Sequence, residues 1–282
     1  MPSRPVGVFD MGAGGLTVVK AIRAEIPLET VLFLGDEAGS VFAGETLDTE
    51  ALLDSACRYA GFLLAHNAKA LVVACNLMSA TILDALQRRV PVPVIGVVEP
   101  GVRALEAAVS GESGEPVAVF TTPIAARVEL FTRLLARRMP RARVYEVGCP
   151  ELLSIIASGK EAAPEAAETV RGYAGWLGGV VPRAALLACT RFPVLLRAFE
   201  DALPGTRVID PARETALALA RCLKENSVRA SARAGEDLLY TSGDTAQLRR
   251  LASLLLGGRL FTARRYDADS AAIAKNTLPG TA

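Results

Sequence analysis

The chain has 282 residues, 51% of them hydrophobic and 22% charged, and its 31 basic and 30 acidic residues leave a net charge of +1. Without a basic excess or a polybasic block, neither a nucleic-acid partner nor a membrane surface is indicated. The first residues lack the basic and apolar regions of a signal peptide, and no apolar run approaches the roughly 18 residues of a membrane span, so we expect a cytoplasmic protein.

In chain order, short apolar runs rich in β-branched residues alternate with helix-like stretches. This alternation is typical of parallel sheets covered by helices, in which catalytic groups gather at the carboxyl ends of the strands. We predict strands over 6–10, 31–34, 70–74, 94–97, 117–120, 143–147, 185–188 and 207–209, with helices over 16–26, 47–66 and 79–89 and an amphipathic segment after each later strand.

The length of the chain is near the upper limit for one hydrophobic core, which predicts two lobes. Two proline-containing segments, Glu99–Gly101 and Asp210–Pro211, interrupt the alternation directly after a strand. We expect the chain to pass from one lobe to the other at these segments. We therefore predict a discontinuous N-terminal lobe over 1–97 plus 210–282 and a second lobe over 98–209. The tail after Asp269 is expected to be frayed.

The five cysteines form an odd, sparse set, which disfavours a disulfide framework. No Cys-x-x-Cys pair occurs and His66 is the only histidine, so no zinc site is expected. Cys57, Cys149 and Cys222 fall in apolar or helix-like stretches, where burial as small apolar side chains is the simpler interpretation.

Cys75 and Cys189 stand apart because each follows an apolar strand-like run ending in alanine and precedes Asn76 or Thr190. A strand that delivers a thiol to the start of a helix places it where backbone N–H groups and the helix dipole favour the thiolate. The repeated arrangement predicts two reactive thiols that face each other across a cleft.

A glycine-rich segment, Asp10–Gly15, follows the first predicted strand. The segment does not match a dinucleotide-binding fingerprint in which Asp36 would bind the ribose, because Thr17 stands where the third glycine of that motif is required. A tight turn and a close approach by a ligand both remain open. Asp10 is predicted either to exchange a proton with Cys75 or to cap a helix.

These segments closely resemble the bacterial glutamate racemases over about residues 5–265. The resemblance begins at Gly7–Val18. The other matching segments are Leu34–Asp36, Val73–Asn76, Pro93–Gly101, Cys149–Pro150, Cys189–Pro193, Glu214–Ala216 and Thr241–Gly243. The resemblance implies an α/β fold of two pseudo-symmetric lobes, each a mostly parallel sheet flanked by helices, with the active site in the interlobe cleft.

The resemblance also implies a reaction without a cofactor or metal that supplies D-glutamate for peptidoglycan. One cysteine thiolate removes the α-proton of the amino-acid substrate, and the other thiol returns a proton to the opposite face. By position, Cys75 and Cys189 are the two bases and Asp10 assists Cys75. A homodimer is implied as well. Substrate contacts are implied for Met11, Phe42, Ala43, Asn76, Leu77, Thr121, Thr190 and Arg191.

The chain departs from the family's pattern around this implied pocket. Arg191 stands where the family has a histidine that assists the second cysteine; a guanidinium could favour the thiolate of Cys189 but cannot exchange a proton near neutral pH. Other departures are Met11, Glu37, Phe42, Ala43, Leu77 and Ala157, where the family usually has serine, threonine, tyrosine, glycine, threonine and glutamate.

Three functional hypotheses follow from the motifs and the departures. The first is a two-cysteine glutamate racemase. The second is a racemase homologue that binds a ligand or a protein without turnover, because each buried hydrogen bond lost at Met11 or Leu77 costs roughly 1–3 kcal/mol of glutamate binding. The third is a related enzyme acting on a less polar 2-substituted carboxylate, with Cys75 as its principal acid and base.

Overall fold

The computed structural model describes residues 2–37, 47–109, 114–257 and 261–267. The predicted contacts Phe42 and Ala43, and the tail expected to fray, lie outside these ranges. The described residues fall into two compact units. The first unit comprises the described residues up to Val97, except Leu47, and those from Ala212 onward. The second unit comprises Leu47 and Val98–Pro211.

The strands and helices alternate along the chain, as the sequence predicts. The strands are β1 Val6–Asp10, β2 Val31–Gly35, β3 Ala70–Val73, β4 Val94–Gly96, β5 Pro116–Thr121, β6 Arg143–Gly148, β7 Ala184–Leu187, β8 Arg207–Ile209, β9 Asp237–Thr241 and β10 Phe261–Arg265. The helices are α1 Leu16–Glu25, α2 Thr49–Ala65, α3 Asn76–Thr81, α4 Leu83–Gln87, α5 Val98–Glu106, α6 Pro123–Arg127, α7 Leu130–Arg138, α8 Pro150–Ala157, α9 Pro164–Gly175, α10 Leu196–Ala202, α11 Pro211–Glu225 and α12 Thr245–Leu256.

The first unit is built on a parallel sheet with the strand order β10-β9-β2-β1-β3-β4. Strands β1, β2 and β3 are buried at every position, as expected for parallel strands covered on both faces. In the register of β1, Asp10 pairs with Gly35 on one side and Phe9 with Val73 on the other. The carboxyl ends of these three strands therefore form one edge.

The second unit is built on a smaller parallel sheet with the order β6-β5-β7-β8. Its core contains packed aromatic rings: the ring centroids of Phe120 and Phe199 lie 4.9 Å apart, and Phe192 is also fully buried. The fold class of parallel sheets flanked by helices, predicted from alternation, is thus confirmed in both units.

Two features of the first unit differ from the prediction. The strands β9 and β10 were not expected, because neither contains the apolar β-branched run that marks the others. The helix expected over 79–89 is two short helices that begin at Asn76 and break at Ile82, where φ is −121° and ψ is 0°. Beside this break, the Thr81 hydroxyl donates to the Leu77 carbonyl at 2.7 Å, a bond that bends helices.

None of the helices in the described ranges is both long and apolar enough to cross a membrane.

A buried ion pair joins α1 to the sheet of the first unit. Asp237, the first residue of β9, accepts a hydrogen bond from Arg23 Nε, and the two side chains are 0% and 3% exposed. Its second oxygen, Oδ1, accepts the Val31 N–H at 2.8 Å and an Arg233 N–H at 2.7 Å. Asp237 therefore links β9, β2 and α1, and removing it would leave Arg23 as a buried charge without its carboxylate.

We predict that Asp237→Ala lowers the free energy of unfolding by about 3–5 kcal/mol, because breaking one side of a buried pair leaves the other charge uncompensated. The matched control is Glu25→Ala, which removes one of the two carboxylate partners of Arg213, a side chain that is 68% exposed. This control is expected to cost at most about 1 kcal/mol. Urea unfolding of both variants provides the comparison, and equal losses would contradict a stabilising role for the buried pair.

Candidate active site

The carboxyl edge of the first sheet brings three predicted groups side by side. The Asp36 N–H donates to the Asp10 carbonyl at 3.0 Å, and the Ala74 N–H donates to the Phe9 carbonyl at 2.9 Å. Asp36, Asp10 and Cys75 therefore follow three neighbouring strands at one edge, as parallel strands require.

Asp10 is 4% exposed, and its Oδ1 accepts the Met11 N–H at 2.7 Å. The N-cap of α1 is Gly15, and no side chain caps this helix, so the interpretation of Asp10 as a helix cap is wrong. A Cβ atom on Gly15 would lie 2.9 Å from the Asp10 Cβ and 3.1 Å from the Ala74 Cβ. The glycine thus allows the turn to pack against both strand ends.

Cys75 occupies the N-cap position of α3 and is 8% exposed. Asn76 follows it and is 4% exposed, yet neither its amide oxygen nor its amide nitrogen has a hydrogen-bond partner among the described residues. Leu77 and Met11 are also buried. A buried amide left without partners costs free energy in the unliganded protein, which is the expected signature of a group that binds a ligand.

Asp36 belongs to a buried network rather than to a nucleotide site. Its Oδ2 accepts the Tyr59 hydroxyl at 2.7 Å, and its Oδ1 accepts the Ser242 hydroxyl. Burial, followed by the charge of Asp36, raises the pKa of Tyr59, so the phenol stays protonated and remains a donor. Ser242 lay within a motif noted in the sequence, whereas nothing in the sequence around Tyr59 indicated its role.

Glu37 contacts the glycine-rich segment that follows β1. Its Oε1 accepts the Ala13 N–H at 3.3 Å, and a Cβ atom on Gly243 would lie 2.5 Å from its Oε2. Glu37 therefore places a carboxylate against the turn after β1, where a neutral threonine is usual in the resembled family.

The carboxyl edge of the second sheet gathers a second set of predicted residues. Thr121 ends the central strand β5, and its hydroxyl donates to the Ala188 carbonyl at 3.3 Å. The Cys149 N–H donates to the Thr121 carbonyl at 2.9 Å. Cys189 and Thr190 follow β7 and are each 8% exposed. This edge therefore brings together the thiols of Cys149 and Cys189 and the hydroxyl groups of Thr121 and Thr190.

Both thiols of this edge belong to the apolar core of the second unit, and Cys149 is the more deeply buried of the two. Cys149 is fully buried in the apolar core, and burial, followed by the neighbouring Cys189 and Glu151, raises the pKa of its thiol. Cys149 therefore stays protonated near neutral pH and packs as a small apolar side chain. Cys57 is also buried, and Cys222 is half-buried.

No α-helix starts directly after Cys189, so that prediction is wrong. The Phe192 N–H donates to the Cys189 carbonyl at 3.0 Å and closes a 3-10 turn; a 3-10 helix spans Phe192–Leu195, and α10 begins only at Leu196. The N–H that would extend an α-helix from the Cys189 carbonyl belongs to residue 193, which is proline and has none.

Two departures from the resembled pattern also lie in this unit. Arg191 follows Thr190 and is half-buried. Ala157 is the last residue of α8 and is exposed. Within the described ranges, no group of three or more His, Cys, Asp or Glu side chains is placed to hold a metal ion.

Comparisons with known proteins agree on one family. The family model described as Asp/Glu/Hydantoin racemase matches residues 19–219. A glutamate racemase of Limosilactobacillus fermentum is 32% identical over 88% of this chain and 91% of its own length. A glutamate racemase of Ralstonia pickettii is 34% identical over 90% of this chain and 88% of its own length.

The fold is also shared with solved glutamate racemases. The crystal structure of the Francisella tularensis glutamate racemase in complex with D-glutamate has a TM-score of 0.83 with 25% identity, and it covers 96% of this chain and 100% of that one. The chain belongs to the Asp/Glu/hydantoin racemase family of isomerases, and the relatives it resembles within that family are glutamate racemases.

Proposed function

We propose that this chain is a cytoplasmic, cofactor-independent amino-acid racemase that interconverts L- and D-glutamate, with Cys75 and Cys189 as the two proton-transferring groups. One observation carries the proposal: each sheet presents a buried, strand-terminal thiol at its carboxyl edge, in a chain whose relatives are glutamate racemases. The D-glutamate formed would supply peptidoglycan synthesis, and we propose a homodimer as the working form.

In the proposed reaction, the thiolate of one cysteine takes the α-proton while the electron pair of the Cα–H bond moves toward the carboxyl group. The thiol of the other cysteine then gives its proton to the opposite face of the α-carbon, which inverts it. The two cysteines exchange protonation states, and the reverse reaction restores them. A free thiol with a pKa of about 8.5 is only slightly ionised at neutral pH, so each cysteine needs help to form thiolate.

The described contacts support a division of roles. Asp10 lies beside Cys75 at the strand edge and would hold or orient the proton exchanged there. The unpartnered amide of Asn76 would bind the charged groups of the substrate. In the second unit, Thr190 would donate to the substrate and Thr121 would keep the loop of Cys189 in place.

The test is incubation of the purified chain with L-glutamate in D2O, followed by proton NMR of the α-position and by circular dichroism. We expect deuterium incorporation together with formation of D-glutamate. Exchange without inversion would instead indicate a one-base enzyme. No exchange at high enzyme concentration with glutamate would contradict the proposal and favour a non-catalytic homologue or another substrate.

Replacing either thiol should abolish the inversion of glutamate. We predict that Cys75→Ser and Cys189→Ser each abolish inversion, because a serine hydroxyl is far too weak an acid to take the place of a thiol near neutral pH. Circular dichroism at saturating L- and D-glutamate measures the loss. A Cys222→Ser variant, altered at a half-buried thiol on α11, is the matched control and should racemise normally. Full inversion by either active-site variant would contradict the two-cysteine mechanism.

Asn76→Leu should weaken glutamate binding without destabilising the protein. The substitution removes two buried polar atoms without partners, so we expect the melting temperature to stay equal or rise while the KM for glutamate increases about 10- to 100-fold. Thermal unfolding and steady-state kinetics measure the two effects. The control is Asn226→Leu, at an exposed amide that donates to the Cys222 carbonyl, which should leave KM unchanged. A large loss of stability in Asn76→Leu would contradict a ligand-binding role for the amide.

The raised pKa of Cys149 predicts selective alkylation. At pH 8 the buried Cys149 stays a thiol and should resist iodoacetamide, whereas Cys75 and Cys189 should react and be protected by added glutamate. Mass spectrometry of peptides from native and urea-unfolded protein identifies the labelled sites. Labelling of native Cys149 at the rate of Cys189 would contradict the assignment.

A further inference from the structure

Arg191 is a half-buried cation whose contact with substrate has so far rested on the resemblance alone. It lies two residues after Cys189, beyond the carboxyl end of β7. Its guanidinium makes no hydrogen bond and no ion pair with any residue that the structure describes. Within the described ranges, its five N–H donors and its positive charge are therefore left without a partner, on a residue that is half-buried.

Arg191 is exceptional in this respect. The other arginines that are buried or half-buried within the described ranges all have a partner: Arg4 on the Asn67 carbonyl, Arg23 on Asp237, Arg58 on Ser55 and Arg89 on the Cys57 sulfur. A guanidinium without such a partner gains free energy when it meets an anion, and its planar fork matches the two oxygens of a carboxylate.

We propose that Arg191 binds the carboxylate attached to the reacting α-carbon and thereby makes this chain specific for free α-amino carboxylates. The inference rests on the proposed function, because it takes Cys189 as a base at that carbon. The anion bonded directly to the carbon that Cys189 must reach is the α-carboxylate. A neutral hydantoin ring, the third substrate type in the description of the family, offers no such anion.

The contact should act on catalysis as well as on binding. When the α-proton passes to the thiolate, the electron pair of the Cα–H bond forms a second bond between Cα and the carboxyl carbon, and negative charge accumulates on the carboxylate oxygens. The guanidinium of Arg191 stabilises this charge electrostatically, a role that differs from proton exchange by histidine. Removing the guanidinium should therefore lower kcat and raise KM together.

The test compares wild type, Arg191→Met and Arg191→Lys on L-glutamate and on its α-amide, which differs from glutamate only in having a neutral group at the α-carboxyl position. We expect Arg191→Met to lose about 10- to 100-fold in kcat/KM on glutamate and Arg191→Lys to recover part of the loss. On the α-amide, wild type and Arg191→Met should be equal; where the amide is not turned over, its inhibition constant replaces the rate. Arg197→Met, at an exposed arginine on α10 of the same unit, is the matched control.

The outcomes distinguish this inference from the proposed function. If wild type racemises glutamate and Arg191→Met does so equally well, or loses activity equally on glutamate and on the α-amide, the role of Arg191 is overturned and the racemase stands. If wild type binds D-glutamate by calorimetry without exchanging its α-proton, and Arg191→Met does not bind, the carboxylate contact stands and the racemase falls. If wild type neither exchanges nor binds, both are overturned.

Discussion

The direction of the parallel strands is the constraint on which the candidate site depends. Because every strand in each sheet runs the same way, the residues that follow the strands meet at one edge, however far apart they lie in the sequence. In the first unit this rule brings Asp10 beside Cys75, and in the second it brings Thr121 beside Cys189. Short side chains at strand ends thereby acquire partners that no local sequence pattern encodes.

This constraint explains why much of the fold could be predicted from the sequence. The eight predicted strands lie within one residue of β1 to β8. Fully buried parallel strands such as β1, β2, β3 and β7 require continuous apolar runs that stand out from their neighbours. The strands β9 and β10 lack that signal: β9 begins with Asp237, and β10 ends in two exposed arginines. The buried position of Asp237 depends on its contacts with Arg23 and Val31, far away in the sequence.

The two thiols of the candidate site could be predicted from the sequence, but the helical structure that follows each of them could not. Cys75 does stand at the start of a helix, although that helix is only six residues long. Cys189 does not, because Pro193 lacks the N–H that would continue the first α-turn. The hydrogen-bonding role of Tyr59 depends on burial against Asp36, a tertiary contact that the local sequence does not reveal.

The polar groups at the strand edges differ in how they are satisfied. Asp36 is held by Tyr59 and Ser242, which suits a fixed structural role. Asn76 and Arg191, in contrast, keep hydrogen-bonding capacity that no described residue uses. Buried or half-buried donors and acceptors of this kind lower the stability of the unliganded protein and are the groups that a charged amino acid would satisfy.

The most direct test of the account is a crystal structure of the chain with bound D-glutamate. The account predicts the substrate α-carbon between the sulfur atoms of Cys75 and Cys189, one on each face and each at a near-attack distance of about 3.5 Å. A complex in which either sulfur is turned away from that carbon, or in which both approach the same face, would contradict inversion by two thiols.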